Sequence, residues 1–143
     1  MRNFKSIIFL IIFIFSISGN FSLAEDYSDS DITKVVMLGS GNPFPDPKRS
    51  GPSVAIVVND VPYLFDAGAG VWQATGAATP KYGGTIKALE SGNISKVFIT
   101  HLHSDHVVGL PSLILLPWAL GREAPLEVWG PPGTEHMIKH LVE

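Results

Sequence analysis

Short apolar runs, separated by loops rich in glycine and proline, follow one another along the chain after residue 32. Short runs bounded by turn residues predict β-strands, and longer apolar segments with a period near 3.6 predict helices. The pattern therefore predicts one α/β domain, with a sheet and flanking helices. The predicted strands are 33–38, 53–58, 63–65, 97–99 and 126–129. The predicted helices are 85–90, 111–120 and 134–143.

Two stretches between these elements carry turn signals. Residues 59–62, Asn-Asp-Val-Pro, separate two predicted strands by a length and composition typical of a β-hairpin. Segment 71–84 begins like a helix at Trp72 but contains helix breakers such as Pro80, so helix and loop both stay open. Pro117 is expected to kink or end the helix that contains it.

The first 24 residues differ in composition from the rest. Two basic residues precede an apolar run at 7–17, and Ser22-Leu23-Ala24 has the small-x-small pattern of a cleavage site. We therefore expect residues 1–24 to be a signal peptide and the protein to be periplasmic or secreted. An uncleaved membrane anchor is the alternative. Residues 25–33 are expected to form an acidic, solvated leader.

Charge and cysteine content restrict the partners. The formal net charge is −3, and without residues 1–24 it is −5, because two basic residues and no acidic ones are removed. A mildly acidic chain lacks a basic footprint, so its composition argues against a nucleic-acid partner. No stable membrane association is expected after signal cleavage. The chain has no cysteine, which excludes disulfides and thiolate metal sites.

The candidate chemistry lies in one stretch after the predicted strand 97–99, where three histidines and an aspartate fall together. Imidazole and carboxylate are ligands for zinc, iron and manganese. His101 and His103 are two residues apart, so in extended backbone they point to the same side and can share one metal ion. Asp105 and His106 lie where the chain turns and can bind a second ion. Paired metal ions about 3.5–4 Å apart are typical of hydrolases.

This His-x-His-x-Asp-His pattern resembles the metallo-β-lactamase superfamily, and the wider run 98–111 resembles its ribonuclease Z and arylsulfatase-like branch. The segments 37–45, 63–68 and 128–133 are similar to further motifs of that branch. The resemblance implies the N-terminal half of a four-layer αβ/βα sandwich, with a mixed sheet and flanking helices. It covers residues 34–143, which are expected to form a metallo-β-lactamase-like domain that is incomplete at its C-terminus.

The resemblance also implies a catalytic apparatus. It assigns His101, His103, Asp105 and His106 to two zinc ions, with iron or manganese as alternatives, and it gives Asp105 a second role in handling a proton. Asp66 is expected beside the metals, as a carboxylate that accepts an imidazole N–H and fixes the tautomer of that ring. An ordinary turn aspartate is the alternative. The family needs further ligands, which the resemblance places after residue 143, so this chain alone is expected to have little or no activity.

The expected function is that of an exported metal-dependent hydrolase acting on small anionic phosphodiesters or sulfate esters, as arylsulfatase-like proteins do. Two alternatives stay open. One is an RNA-processing endonuclease like ribonuclease Z, which export and the acidic charge argue against. The other is a non-catalytic metal-binding module or inactive fragment. The sequence does not determine the substrate-binding residues, although Ser40, Asn42 and Arg49 lie in a loop that the resemblance places near the active site.

Overall fold

A five-stranded mixed sheet organises residues 32–143, the part of the chain that the computed structural model describes. The strands lie in chain order across the sheet; the first three are antiparallel, and β4 and β5 continue it in parallel with β3. The predicted signal peptide and residues 25–31 of the predicted leader lie outside the described residues. The strands are β1 (Lys34–Gly39), β2 (Ser53–Val58), β3 (Val61–Phe65), β4 (Lys96–Phe98) and β5 (Glu127–Trp129).

The predicted hairpin joins β2 to β3 through a two-residue turn. Val58 pairs with Val61, and Asn59 and Asp60 between them have φ angles of 48° and 59°. Two consecutive residues with positive φ define a type I′ turn, which matches the right-handed twist of the flanking strands and favours asparagine and aspartate. Strand β3 therefore begins at Val61, two residues before the predicted start.

Within residues 32–143, four α-helices and three short 3₁₀ turns at 80–82, 87–89 and 91–93 connect and cover the strands. For segment 71–84 the sequence allowed either a helix or a loop, and the structure has a helix followed by the 3₁₀ turn 80–82. The predicted helix 85–90 is only the 3₁₀ turn 87–89, because Ile86 and Glu90 on either side have non-helical backbone. The α-helices are α1 (Val71–Ala77), α2 (Ser104–Val107), α3 (Leu110–Ala119) and α4 (Thr134–Val142).

One face of the sheet forms the core with α1, α3 and the loops between them. Alternate strand residues are buried there because successive side chains point to opposite faces. Leu110 and Leu113 bring α3 onto this face and are fully buried; burying each contributes about 1.5–3 kcal/mol. The core residues are Leu38, Ala55, Leu64, Ala67, Val71, Leu89, Ile94, Val97, Ile99, Leu110 and Leu113.

A buried arginine completes α3 where a proline interrupts it. Pro117 has no N–H for the carbonyl of Leu113, four residues earlier. Arg122 Nη1 donates to that oxygen at 2.6 Å, and Nη2 donates to the carbonyl of Ile114 at 2.9 Å. Burial lowers the pKa of the Arg122 guanidinium. Pro117 does not end α3 but lies inside it, and the helix continues to Ala119, one residue short of the predicted end.

The opposite face of the sheet is also apolar and carries a row of aromatic rings. Phe98 stacks between Phe65, at a centroid distance of 5.2 Å, and Trp129, at 4.7 Å with an interplanar angle of 9°. Met37 on β1 and Trp129 on β5 are exposed at the two ends of this face. A sheet that is apolar on both faces is typical of α/β folds in which both faces are covered.

No helix within residues 32–143 combines the length and the hydropathy needed to cross a membrane.

Candidate metal centre

The metal motif and Asp66 lie at the same edge of the sheet. Strands β3 and β4 are parallel, so the residues that follow them emerge side by side. The Asp66 N–H donates to the carbonyl oxygen of Phe98 at 2.8 Å and fixes the two chain ends together. The loop 100–103 and the short helix α2 then carry the histidines over this edge. Chemistry at the carboxyl ends of parallel strands is the usual arrangement in α/β folds.

Asp66 is the centre of a hydrogen-bond network. Its side chain accepts the N–H of Thr100 at 2.8 Å and the Thr100 hydroxyl at 2.9 Å, and Oδ2 accepts His106 Nδ1–H at 2.8 Å. The residue is 7% exposed and has a left-handed φ of 62°. Such a conformation costs a non-glycine residue about 1–3 kcal/mol, and it persists where surrounding contacts over-determine it.

These contacts assign the tautomers of two histidines. A carboxylate only accepts, so His106 carries its proton on Nδ1 and presents the lone pair of Nε2. The Thr100 hydroxyl donates to Asp66, so at 2.9 Å it accepts from His101 Nδ1–H, which leaves the lone pair of His101 Nε2 free for an acceptor role. One carboxylate therefore orients two imidazoles, one directly and one through Thr100.

The donor atoms converge in two pairs. His101 Nε2 and His103 Nδ1 are 3.1 Å apart, and His106 Nε2 and Asp105 Oδ2 are 3.6 Å apart. Two nitrogens bound to one tetrahedral zinc ion at about 2.0–2.1 Å are about 3.3–3.4 Å from each other. The rings of His101 and His106 are in contact, with centroids 4.0 Å apart, so the two pairs are neighbours.

The donor types and their pairing fit divalent metal ions, but residues 32–143 hold no group of three such side chains arranged to bind one ion. Catalytic zinc sites usually have three protein ligands. The structure thus brings together His101 with His103 and Asp105 with His106, in the pairs expected from their spacing. Their role as metal ligands stays a prediction, and so does the role of Asp66 beside them.

Thr100 is the residue of this network that the sequence reasoning missed. It lies between β4 and His101, and its hydroxyl is shared between Asp66 and the His101 ring. The sequence offered one signal, because a hydroxyl residue directly before a metal-motif histidine is suited to bond its Nδ1. The contact with Asp66 spans 34 positions in the chain and follows only from the parallel pairing of β3 and β4.

Glycines let three backbone segments meet beneath the motif. Gly109 N–H donates to the carbonyl of Ala67 at 2.8 Å, and a Cβ at Gly109 would lie 2.2 Å from the carbonyl oxygen of Gly68. A Cβ at Gly68 would in turn lie 2.5 Å from the carbonyl carbon of Gly51 and 2.6 Å from the carbonyl oxygen of Asp105. The loop after β1, the turn after β3 and the metal motif are therefore held at backbone contact distance.

A comparison with known protein families shows to which family the chain belongs. The sequence profile of the family described as "Anti-Pycsar protein Apyc1" matches residues 33–125, which include the whole metal motif. The chain belongs to the Apyc1 family. It is also a member of the metallo-β-lactamase superfamily in the ribonuclease Z branch, as the sequence predicted.

Individual relatives agree with this placement. Ribonuclease Z of Mycobacterium marinum (strain ATCC BAA-535 / M) is 34% identical over 113 residues, which are 77% of this chain and 37% of the relative. Ribonuclease Z of Mycobacterium bovis (strain BCG / Pasteur 1173P2) is 34% identical over 109 residues, 74% of this chain and 36% of the relative. This member of the Apyc1 family thus spans little more than a third of the length of these relatives.

Solved structures give the same fold. The short form of human tRNase Z superposes with a TM-score of 0.62 and 33% identity, over 74% of this chain and 38% of that one. The metallo-β-lactamase fold protein YhfI from Bacillus subtilis gives a TM-score of 0.61 at 20% identity, over 76% of this chain and 41% of that one. The predicted fold class, an α/β half of the metallo-β-lactamase sandwich with a mixed sheet, is confirmed.

One expectation about partners is wrong. The resemblance to arylsulfatase-like proteins implied a small anionic ester, and the acidic net charge argued against nucleic acid. The relatives of this Apyc1 family member instead include proteins named ribonuclease Z and tRNase Z. Net charge averages over the whole chain, while binding depends on the charges beside the site, so the total charge does not predict the partner. These relatives also favour the RNA-processing alternative over the arylsulfatase-like interpretation.

Proposed function

We propose that this chain carries the metal-binding half of a metal-dependent phosphodiesterase that cleaves RNA, in the manner of the ribonuclease Z relatives. The substrate class rests on those relatives, which are 34% identical to the chain and are named for action on RNA. The hydrolytic chemistry rests on the side chains at the sheet edge. Zinc is the proposed metal, and iron or manganese suit the same donors.

The observation that carries the proposal is the shared orientation of the two donor pairs. Asp66 receives His106 Nδ1–H directly and His101 through the Thr100 hydroxyl, so both rings present Nε2 outward. A carboxylate or hydroxyl behind a metal-binding histidine fixes its tautomer and raises its basicity. A purely structural cluster would not need two neighbouring histidines with their acceptor nitrogens selected in this way.

Each side chain then has a defined task. When bound, a divalent ion supplies Lewis acidity and a nucleophile at neutral pH. His101 and His103 would hold one such ion and Asp105 and His106 a second, while Asp66 and Thr100 orient the rings of His106 and His101. Water attacks phosphorus and one P–O bond to a ribose oxygen breaks; Asp105, which lines the adjoining cleft, takes the proton of the attacking water and returns it to the leaving oxygen.

The test measures metal content and RNA cleavage on the same preparations. Elemental analysis of the purified protein, the His103→Ala variant and the His140→Ala control gives the zinc bound per chain. His140 is a matched control because it is an exposed histidine on α4 whose ring donates to a backbone carbonyl of its own helix. Cleavage of a labelled tRNA transcript is followed with and without added zinc.

The proposal expects zinc in the wild type and in His140→Ala, a reduced amount in His103→Ala, and zinc-dependent RNA cleavage that follows the same order. Residues 32–143 supply donors only in pairs, so turnover by the 143-residue chain is expected to be slow. A folded wild type that takes up no zinc at micromolar concentrations would overturn the metal-dependent mechanism. Zinc uptake with hydrolysis of a chromogenic phosphodiester but no cleavage or binding of RNA would overturn the substrate class.

We also propose that the protein is exported, with cleavage after Ala24. The support is the composition of residues 1–24, a basic start, an apolar run and a small-x-small site, all outside the described residues. To test this, the full chain including residues 1–24 is expressed, and mass spectrometry of the purified product shows whether those residues have been removed. A mass that starts at Glu25 in the periplasmic or secreted fraction is expected, and an intact N-terminus in the cytoplasm would contradict it.

A further inference from the structure

A cleft of about 800 Å³ opens beside Asp105 and has no assigned role. One wall is the loop after β1, including Phe44, Lys48 and Arg49, and the other contains Ser104 and Asp105 at the start of α2. The volume lies within the range of about 300–1,000 Å³ that ligand pockets span. A molecule in this cleft would lie directly against the proposed metal centre.

The loop that forms the first wall is fixed in place. Gly41 N–H donates to the carbonyl of Ser50 at 2.8 Å, which closes the loop, and Gly51 N–H donates to the carbonyl of Ala69 at 2.8 Å, which ties it to the turn after β3. Three prolines at 43, 45 and 47 restrict φ along the exposed part. A wall that is ordered before binding loses little conformational entropy when a ligand arrives.

An exposed phenylalanine stands on this wall. Phe44 is 79% exposed, and its N–H donates to Asn42 Oδ1 at 3.0 Å, which sets the direction of the backbone at this point. A single exposed apolar ring is common on protein surfaces, so the significance of Phe44 comes from its place in the cleft lining beside Lys48 and Arg49. Nucleobases stack on exposed aromatic rings, with about 1–3 kcal/mol per base.

Two exposed cations follow on the same wall. No ion pair within residues 32–143 involves Lys48 or Arg49. The nearby carboxylate of Asp46 accepts the backbone N–H of Lys48 at 2.9 Å, so it serves the turn. An arginine with a free guanidinium matches the geometry of a phosphate oxygen pair.

We propose that this cleft binds the RNA strand next to the phosphate that is cleaved, with Arg49 and Lys48 on a backbone phosphate and Phe44 stacked on a base. This inference rests on the proposed function and gives it a substrate-binding surface. The two cations follow the ring by four and five positions on one loop, and all three residues line the same cleft. The cleft also explains how a chain of negative net charge binds a polyanion: the contacts are local.

Binding measured without metal isolates this surface from the chemistry. A fluorescein-labelled single-stranded RNA of twelve nucleotides is titrated with the full chain in EDTA at low salt, and fluorescence anisotropy gives Kd. The variants are Arg49→Gln and Phe44→Ala. The matched controls are Lys87→Gln, an exposed cation elsewhere on the surface, and Trp118→Ala, whose ring is 75% exposed outside the cleft.

We expect Phe44→Ala to weaken binding by about fivefold or more. Arg49→Gln should reduce the slope of log Kd against log salt by about 0.7, the loss of one phosphate contact on a single strand. Both controls should bind like the wild type. Equal binding by wild type, Phe44→Ala and Arg49→Gln, or equal losses in the controls, would overturn the proposal. If the variants weaken RNA binding as expected but the protein shows no metal-dependent cleavage, the proposed binding surface stands and the proposed reaction is rejected. If the protein cleaves RNA but both variants bind it like the wild type, the reaction stands and the binding surface is rejected.

Discussion

Asp66 Oδ2 lies 2.8 Å from His106 Nδ1 although the two residues are 40 positions apart in the chain. The contact forms because β3 and β4 are parallel neighbours, so that the residue after one strand faces the loop after the other. Asp66 also holds Thr100, which holds His101. One carboxylate therefore determines which ring nitrogen is available to bind metal on one histidine of each donor pair.

Asp66→Asn is expected to lower zinc affinity by about 10–100-fold. If the amide oxygen keeps its bonds to Thr100, the amide NH₂ faces His106 Nδ1, and the His106 proton must move to Nε2, the nitrogen needed for metal. Isothermal titration with zinc measures the change. Asp60→Asn is the matched control, because Asp60 also has a positive φ, which asparagine tolerates, but it lies at the exposed tip of the hairpin. Equal zinc affinity in wild type and Asp66→Asn would exclude this role.

Thr100→Val keeps the shape of the side chain and removes its hydroxyl. The His101 ring then loses the acceptor for Nδ1–H, and we expect its two tautomers to become mixed and zinc affinity to fall about tenfold. The nitrogen chemical shifts of the histidine rings, measured by NMR without metal, report the tautomers directly. Thr85→Val, at an exposed threonine outside the site, should change neither quantity. An unchanged His101 spectrum in Thr100→Val would show that the hydroxyl does not select the tautomer.

Gly109→Ala should destabilise the fold by about 1–3 kcal/mol, because its Cβ would lie 2.2 Å from the carbonyl oxygen of Gly68 and the backbones must separate. Urea unfolding gives the free energy. Gly76→Ala is the contrasting variant: its Cβ meets nothing closer than 3.8 Å, and in helix α1 alanine is favoured over glycine by about 0.5–1 kcal/mol. The idea of an obligatory backbone contact fails if the two variants have the same stability.

Arg122→Met should reduce the free energy of unfolding by about 1–3 kcal/mol, because the carbonyl oxygens of Leu113 and Ile114 lose their donors in a buried place. The lowered pKa of Arg122 reflects the cost of burying the cation, so the methionine recovers part of this loss. Thermal and urea unfolding measure the difference. Lys87→Met, at an exposed lysine, should stay within about 0.5 kcal/mol of the wild type.

The parts of this structure that depend on local pattern were predictable. Alternation located strands 34–39 and 53–58 to within a residue or two, and the two-residue spacing paired His101 with His103. The helix predicted at 85–90 failed because backbone at both ends departs from helical geometry, which composition does not encode. Thr100 was missed because its role depends on a partner 34 positions away.

The partner was predicted wrongly for a related reason. Net charge is a sum over the chain, and the acidic residues of the leader and of the surface outweigh Lys48 and Arg49 in that sum. The fold places these two cations in the lining of the cleft that contains Asp105, where we propose that they contact a backbone phosphate. Electrostatics between exposed charges decays within about 10 Å at 0.1 M salt, so position matters more than the total.

The glycine contacts beneath the motif have a consequence for how this scaffold can change. Gly51, Gly68 and Gly109 set the distance between the cleft wall and the histidines by backbone contact, independently of any side chain. The outward residues of the loop, 42–49, take no part in that contact. Libraries that vary 42–49 while keeping the three glycines should therefore yield proteins with altered substrate preference and an undisturbed centre, which makes this loop a natural target for redesign.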